Sequence, residues 1–435
     1  MLKKTRTYWI LATILISLGL EAQEPLSFEE ALSRTLESNY GIRIALIDEA
    51  IAENNASRAN NNYLPTLNAT GSYTWTYNEG NFKLVTGDQS FDPNSSYNYT
   101  AGISLNYTLF DGQGRRFTYL QSQEAQELTS LQVRGLIEST VIELGNVFHE
   151  VARLEEAVES LEEAVSISVN RLTRAQYAYD YGQSTQLDKL NAKVDLNVDS
   201  INLVNAQQQL ANFQRNLNLI MGEEVDKPLD VSEQVQIRMD IIRESALASA
   251  LENNTQVESV QHSLRNSELA IKSSKAGWFP NLGANLGYNY RGSDDPNGAF
   301  VLGSSSYGPT AGVSLNWNLF NGQTNTRVQN AKLGYESQLI ERENTEQSVK
   351  SDVLNAYDLY RTSLFILNTQ ADNVSTARIN FDRSEEAFKL GQLTSVEFRQ
   401  AQLNLLNAQL QFSQSKYAAK NAEIQLLAFM GELVD

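Results

Sequence analysis

The chain says most of itself twice. The stretch from Ala31-Leu32 to Leu64-Pro65 returns as Ala246-Leu247 to Phe279-Pro280, and Thr100-Ala-Gly-Ile-Ser-Leu-Asn-Tyr-Thr-Leu-Phe-Asp-Gly-Gln113 returns as Thr310-Ala-Gly-Val-Ser-Leu-Asn-Trp-Asn-Leu-Phe-Asn-Gly-Gln323. Tyr181-Gly182-Gln183 recurs as Leu390-Gly391-Gln392, and Met221-Gly222-Glu223 as Met430-Gly431-Glu432. The offset between copies drifts only from about 215 to about 209 residues, so one duplicated unit organises nearly the whole chain. The boundaries this implies are a first repeat over 23–224, a linker over 225–236 and a second repeat over 237–435.

What precedes the first repeat reads as an export leader. Lys3, Lys4 and Arg6 stand before an apolar run from Tyr8 to Leu20, shorter than a spanning helix of about 20 residues, so 1–22 is expected to be a signal peptide. The formal charge is −18, and an acidic exported chain is a poor nucleic-acid binder. Without cysteine there are no disulfides and no thiolate metal sites. His149 and His262, the two histidines, have neither metal-ligand nor triad spacing, and Gly112-Gln-Gly114 lacks the rest of a phosphate loop. No enzyme activity, cofactor or metal is expected.

Long helices dominate the pattern. From Leu144 the apolar positions fall at Leu144, Val147, Val151, Leu154, Val158, Leu161 and Val165, the alternation of threes and fours that marks a coiled-coil seam. Val353, Tyr357, Tyr360, Leu364, Leu367, Ala371 and Val374 repeat it. At 1.5 Å per residue, the stretch from Asp111-Gly112 to Gly182 would make a helix of about 100 Å. Thr185 to Met221 adds a returning helix of about 55 Å, and Phe28 to Tyr63 one of about 50 Å, opened by the capping box Ser27-Phe-Glu-Glu30.

After Pro65 and Pro280 the period changes to two. Leu67, Ala69, Gly71, Tyr73, Trp75 and Tyr77 alternate with Asn68, Thr70, Ser72, Thr74 and Thr76, giving one apolar and one polar face. Strands are expected at about 67–77, 97–109, 282–290 and 307–320. Apolar outward faces with flanking aromatics fit outer-membrane strands. Four strands cannot close a barrel, and open edges in lipid leave backbone groups unsatisfied at several kcal/mol each. Three copies would supply about twelve strands, so a homotrimer is expected, with tetramers left open.

In these features the chain resembles the TolC-like outer-membrane efflux protein family. The resemblance covers essentially all of the mature sequence, and its carriers are the duplication, the junctions Tyr63-Leu-Pro65 and Trp278-Phe-Pro280, and the turns Leu109-Phe-Asp-Gly112 and Leu319-Phe-Asn-Gly322. The two Gly-containing helix hairpins complete the set. The resemblance implies a mainly α chain with a small β part: a long-helix coiled-coil α-barrel in the periplasm and four strands per chain in a shared outer-membrane β-barrel. It implies an exit duct of a tripartite efflux or type I secretion system, with a periplasmic adaptor, an inner-membrane pump and outer-membrane lipid as partners.

The resemblance also places the hairpins 182–188 and 391–397 at the periplasmic tip. Adaptor-docking candidates there are Gly182, Gln183, Ser184, Thr185 and Leu187, with Gly391, Gln392, Leu393, Thr394 and Val396. Asp188 and Glu397, just past the turns, are candidates for a gate ring of carboxylates. Leu393 and Gln400 depart from the family pattern, where a basic residue and a second carboxylate are common. From the residues alone each hairpin is a helix-turn-helix connection, with Gly as a stop and Ser or Thr as the next cap. A secreted coiled-coil scaffold or adhesin is the alternative reading; it leaves the four symmetric amphipathic strands unexplained.

Overall fold

Two asparagines break the helices that lead toward the strands. The computed structural model describes residues 25–231, 235–295 and 302–433, so the leader 1–22 and part of the linker lie outside the described residues. Helix α1 (Phe28–Ser38) gives way to α2 (Tyr40–Asn55) at Asn39, whose φ of −58° and ψ of 127° are non-helical and whose side chain accepts a hydrogen bond from the Ile42 amide. Asn254 repeats the device between α5 (Arg243–Asn253) and α6 (Thr255–Lys275), accepting from the Gln256 amide at 2.9 Å. Short polar side chains compete with helical hydrogen bonds in this way and are favoured caps. The single helix expected over Phe28–Tyr63 is therefore two. The second stops at Asn55, whose carbonyl accepts from the Asn60 and Asn61 side chains, before Asn62 turns the chain at φ 60°.

Each break seats the end of a later helix. Helix α4 (Gln186–Met221) ends on Gly222 at φ +70°, and α8 (Ser395–Met430) on Gly431 at φ +73°. A Cβ on Gly222 would collide with the Ser38 carbonyl, and one on Gly431 with the Asn253 carbonyl. Positive φ and close backbone approach both demand glycine here.

The chain forms two compact units that cut across the sequence repeats. One gathers the chain up to Ser38 with Leu144–Gln236 and Thr369–Tyr417; the other gathers Asn39–Glu143, Ile237–Asn368 and the chain from Ala418 onward. In the first, Leu144, Phe148 and Val151 of α3 (Gly114–Asp180) pack with Ala31 of α1, Leu217 and Met221 of α4, and Tyr417 of α8. Further along, Leu161 and Ala164 meet Ala206 of α4 and Leu406 of α8. The seam thus passes to Ala164, while Val165 is only half-buried.

In the second unit, Ala246 and Ala250 of α5 pack with Val353 and Tyr360 of α7 (Gly322–Lys389) and Leu426 of α8. This unit also holds an antiparallel sheet in the order β1 (Thr66–Leu84), β2 (Gly87–Phe110), β3 (Asn281–Asp294) and β4 (Gly303–Asn316). The central pairing, Leu105 opposite Leu286, joins the two repeats. β1 and β2 run on past the alternating stretch into a long hairpin closing at Leu84 and Gly87. β4 stops at Asn316 rather than near 320, because the residue next in line on β3 is Pro280, which has no N–H to offer. Trp317 instead donates its indole N–H to the Trp278 carbonyl at 3.1 Å. Asp111 accepts from the Arg115 amide at 2.8 Å and Asn321 from the Gln323 amide at 2.9 Å, so the strand-to-helix turns are side-chain capped.

Candidate functional site

The hairpins are built alike. α3 ends with Gly182 at φ +73°, the Gln183 amide donating to the Ala178 carbonyl at 2.7 Å and the Gly182 amide to Tyr179 at 2.9 Å. α7 ends with Gly391 at φ +73°, with Gln392 donating to Ala387 at 2.9 Å and Gly391 to Phe388 at 3.1 Å. Both are Schellman motifs, which satisfy the last helical carbonyls and reverse the chain.

Thr185 and Thr394 then open the return helices with reciprocal caps. The Asp188 amide donates to Thr185 Oγ1 at 3.3 Å, while the Thr185 amide donates to Asp188 Oδ2 at 3.1 Å. The Thr185 hydroxyl, at 2.7 Å, and the Ser184 hydroxyl, at 2.9 Å, donate to the same oxygen. Glu397 does likewise with Thr394: amide to Oε2 at 2.9 Å, hydroxyl to Oε2 at 2.8 Å, and its own amide to Thr394 Oγ1 at 3.3 Å. The Thr185 hydroxyl above all holds the Asp188 carboxyl below its ordinary range, and the Thr394 amide does the same for Glu397. Both proposed gate carboxylates therefore have a structural task that the sequence pattern already contained.

Around them the candidates divide by exposure. Gln183, Thr185 and Leu187 are exposed on the first hairpin, with Gln392, Thr394 and Val396 on the second, while Ser184 and Leu393 are half-buried. Tyr181 and Leu390, outside the candidate set, are exposed beside them.

A polar cluster that the motif reading passed over lies deeper in the same unit. Arg399 of α8 reaches Asp199 of α4, Ser168 of α3 donates to Asp199 Oδ2 at 2.5 Å, and Gln402 donates to the Ala164 carbonyl at 3.0 Å. Arg171 meets Asp195 at 3.1 Å and the Ser395 hydroxyl at 3.1 Å, and burial lowers its pKa. The signal was present: Ser168 and Arg171 continue the α3 seam through positions 161, 164, 168 and 171, so polar residues occupy apolar heptad positions.

The sheet is two-faced. Leu67, Tyr73, Trp75, Leu286, Tyr288 and Val313 are exposed on one side. Threonine, serine and asparagine occupy the other, in the register Thr66 to Asn106 and Asn285 to Gly312. Strands β1 and β4 are the edges. Among the described residues no helix is long and apolar enough to cross a membrane. The histidines are engaged in packing and pairing: His149 stacks on Phe28 and Tyr417, both at 5.7 Å between ring centroids, and His262 Nδ1 lies 2.7 Å from Glu124.

Known proteins share these features. The chain is 22% identical over 373 residues to outer membrane protein TolC of Vibrio cholerae, covering 85% of this chain and 82% of that protein. It is 21% identical over 419 residues to the toluene efflux pump outer membrane protein TtgC of Pseudomonas putida, covering 93% and 83%. The Campylobacter jejuni CmeC outer membrane channel has the same fold, with a TM-score of 0.76 at 15% identity over 100% of this chain and 94% of that one. Residues 31–223 and 246–432 each match the outer membrane efflux protein family, one match per repeat, and the chain belongs to that family.

Proposed function

We propose that three copies of this chain form a passive duct that carries substrates from an inner-membrane pump and its periplasmic adaptor out of the cell, as in tripartite efflux or type I secretion systems. The chain is an outer-membrane exit channel for efflux, and members of its family are channels rather than enzymes. The sheet carries the trimer reading: its large apolar side chains are exposed on one face, and both edge strands lack a partner strand among the described residues. In hydrocarbon every unpaired backbone group costs several kcal/mol, so β1 of one copy pairs with β4 of the next, and three copies close about twelve strands.

A second surface supports assembly. Leu187, Leu190, Val194, Val198, Ile201 and Val204 of α4 are exposed at helical spacing, an apolar stripe suited to a neighbouring helix. In the duct the two hairpins form the periplasmic tip and dock the adaptor, with Asp188 and Glu397 beside the gate. Transport energy comes from the pump.

The test is extraction of the outer-membrane fraction in detergent. A heat-modifiable trimer that conducts ions in planar bilayers is the expected result. Soluble, non-conducting rods in the culture medium would overturn the proposal in favour of a secreted scaffold or adhesin.

A further inference from the structure

Across the paired core of the sheet there is one formal charge. Thr66–Tyr77, Tyr97–Phe110 and Gly303–Asn316 contain no Asp, Glu, Lys or Arg, and Arg291 stands alone within Asn281–Ser293. Other charges of these strands, such as Glu79 and Asp294, lie further toward the hairpin ends. Arg291 sits three residues from the Asp294–Gly303 end of the β3–β4 pairing, in the row Ser72, Thr100, Arg291 and Ser306.

That row belongs to the polar face. The Ser72 and Thr100 hydroxyls lie 2.7 Å apart within it, and Arg291 lines a recess of about 460 Å³ with Thr70, Asn289 and Thr310. Gly102 and Gly308 also line the recess, leaving it without side chains at those two positions. The Arg291 side chain is exposed and has neither an ion pair nor a hydrogen bond to another described residue. An unneutralised guanidinium with five donors, beside hydroxyls and amides, suits carboxylate, phosphate and sulfonate groups. Within the four stretches named above no other charge opposes its field.

We infer that Arg291 and its symmetry copies form an anion-attracting ring in the β-barrel lumen toward the β3–β4 hairpin end, which favours the passage of small anions and of anionic groups on exported substrates. This rests on the trimeric duct proposed above.

The experiment measures the K⁺/Cl⁻ permeability ratio of the full trimer in planar bilayers from reversal potentials in a KCl gradient. Arg291→Gln should raise the ratio about twofold or more, Arg291→Glu further, and Arg291→Lys should hold it near the parent value. Because the chain contains no cysteine, Arg291→Cys offers a single thiol. Attaching a trimethylammonium group there with a methanethiosulfonate reagent should return the ratio toward the parent value, and a sulfonate group should not. Parent channels whose ratio is the same in the Gln and Glu variants, or a Cys variant indifferent to both reagents, would overturn the ring alone. A parent protein that forms no channel would instead remove the duct on which it rests.

Discussion

Arg399 grips Asp199 with two parallel hydrogen bonds, Nη1 to Oδ2 at 2.6 Å and Nη2 to Oδ1 at 2.7 Å, and both side chains are buried. The pair ties α8 of the second repeat to α4 of the first, and Ser168 brings α3 to the same carboxylate. Asp199 lies about three helical turns beyond Asp188, so the cluster braces the bases of both hairpins. A bidentate guanidinium–carboxylate pair fixes direction as well as distance, which an apolar contact does not.

Breaking this pair on one side should be costly. Asp199→Asn leaves the buried guanidinium with only the more distant Asp195 carboxylate, at 3.9 Å, and should destabilise the hairpin base by about 3 kcal/mol, read from hydrogen exchange of α4 and α8. The double change Asp199→Leu with Arg399→Met should recover most of that loss. A double variant no more stable than Asp199→Asn would show that the pair itself is a net source of stability.

Four glycines with similar φ should respond differently to alanine. At Gly182 and Gly391 an added Cβ meets nothing within 4 Å, so only the left-handed backbone is penalised, by about 1–2 kcal/mol. At Gly222 and Gly431 the same backbone penalty is joined by overlap with a carbonyl, so alanine there should cost more and loosen the Asn39 and Asn254 breaks. Equal losses of thermal stability at all four positions would refute the packing argument.

The hairpin carboxylates can be split into cap and charge. Glutamine can complete a capping box without a charge, so Glu397→Gln should keep α8 protected from exchange while Glu397→Ala frays its first turn. A gate ring requires the Gln variant to lose cation preference; a purely structural role requires only the Ala variant to change conductance.

Because both carboxyls are held low when folded, their contribution is complete above the ordinary carboxylate pKa of about 4 and fades as pH falls through the lower folded values. Exchange of the first turns of α4 and α8 should accelerate only in that acid range, and acceleration near neutral pH would contradict it.

Glu155 should act in the opposite sense. Burial, reinforced by Asp230, raises its carboxyl to about 7, while its Oε1 accepts a long hydrogen bond of 3.4 Å from the Val231 amide. A carboxyl whose folded pKa is raised binds more protons when folded, so stability is greatest below about 4.3 and falls as pH rises toward 7. The linker segment on α3 should loosen over that interval, followed by exchange at Val231. Glu155→Gln, neutral throughout, should remove the dependence.

Much of the architecture is legible in the chain because its causes are local and periodic. The α3 seam, the alternating face Leu67 to Tyr77 and the Gly-then-Thr hairpins are read from spacing alone, since burial on one face of a helix or strand imposes that spacing. The breaks at Asn39 and Asn254 were not, because an asparagine within an apolar helical pattern reads as a tolerated polar residue. Only the carbonyls approached by Gly222 and Gly431 reveal those sites as packing points. The end of β4 at Asn316 likewise depends on which residue stands opposite it.

By itself, then, the sequence determined the duplication, the element types and the family, since these follow from repeat, period and cap. Tertiary structure alone decided that the compact units cut across the repeats and that Arg399 finds Asp199 200 residues away. Pairing at such separations is set by how helices and strands pack side by side, and no local pattern in the chain encodes it.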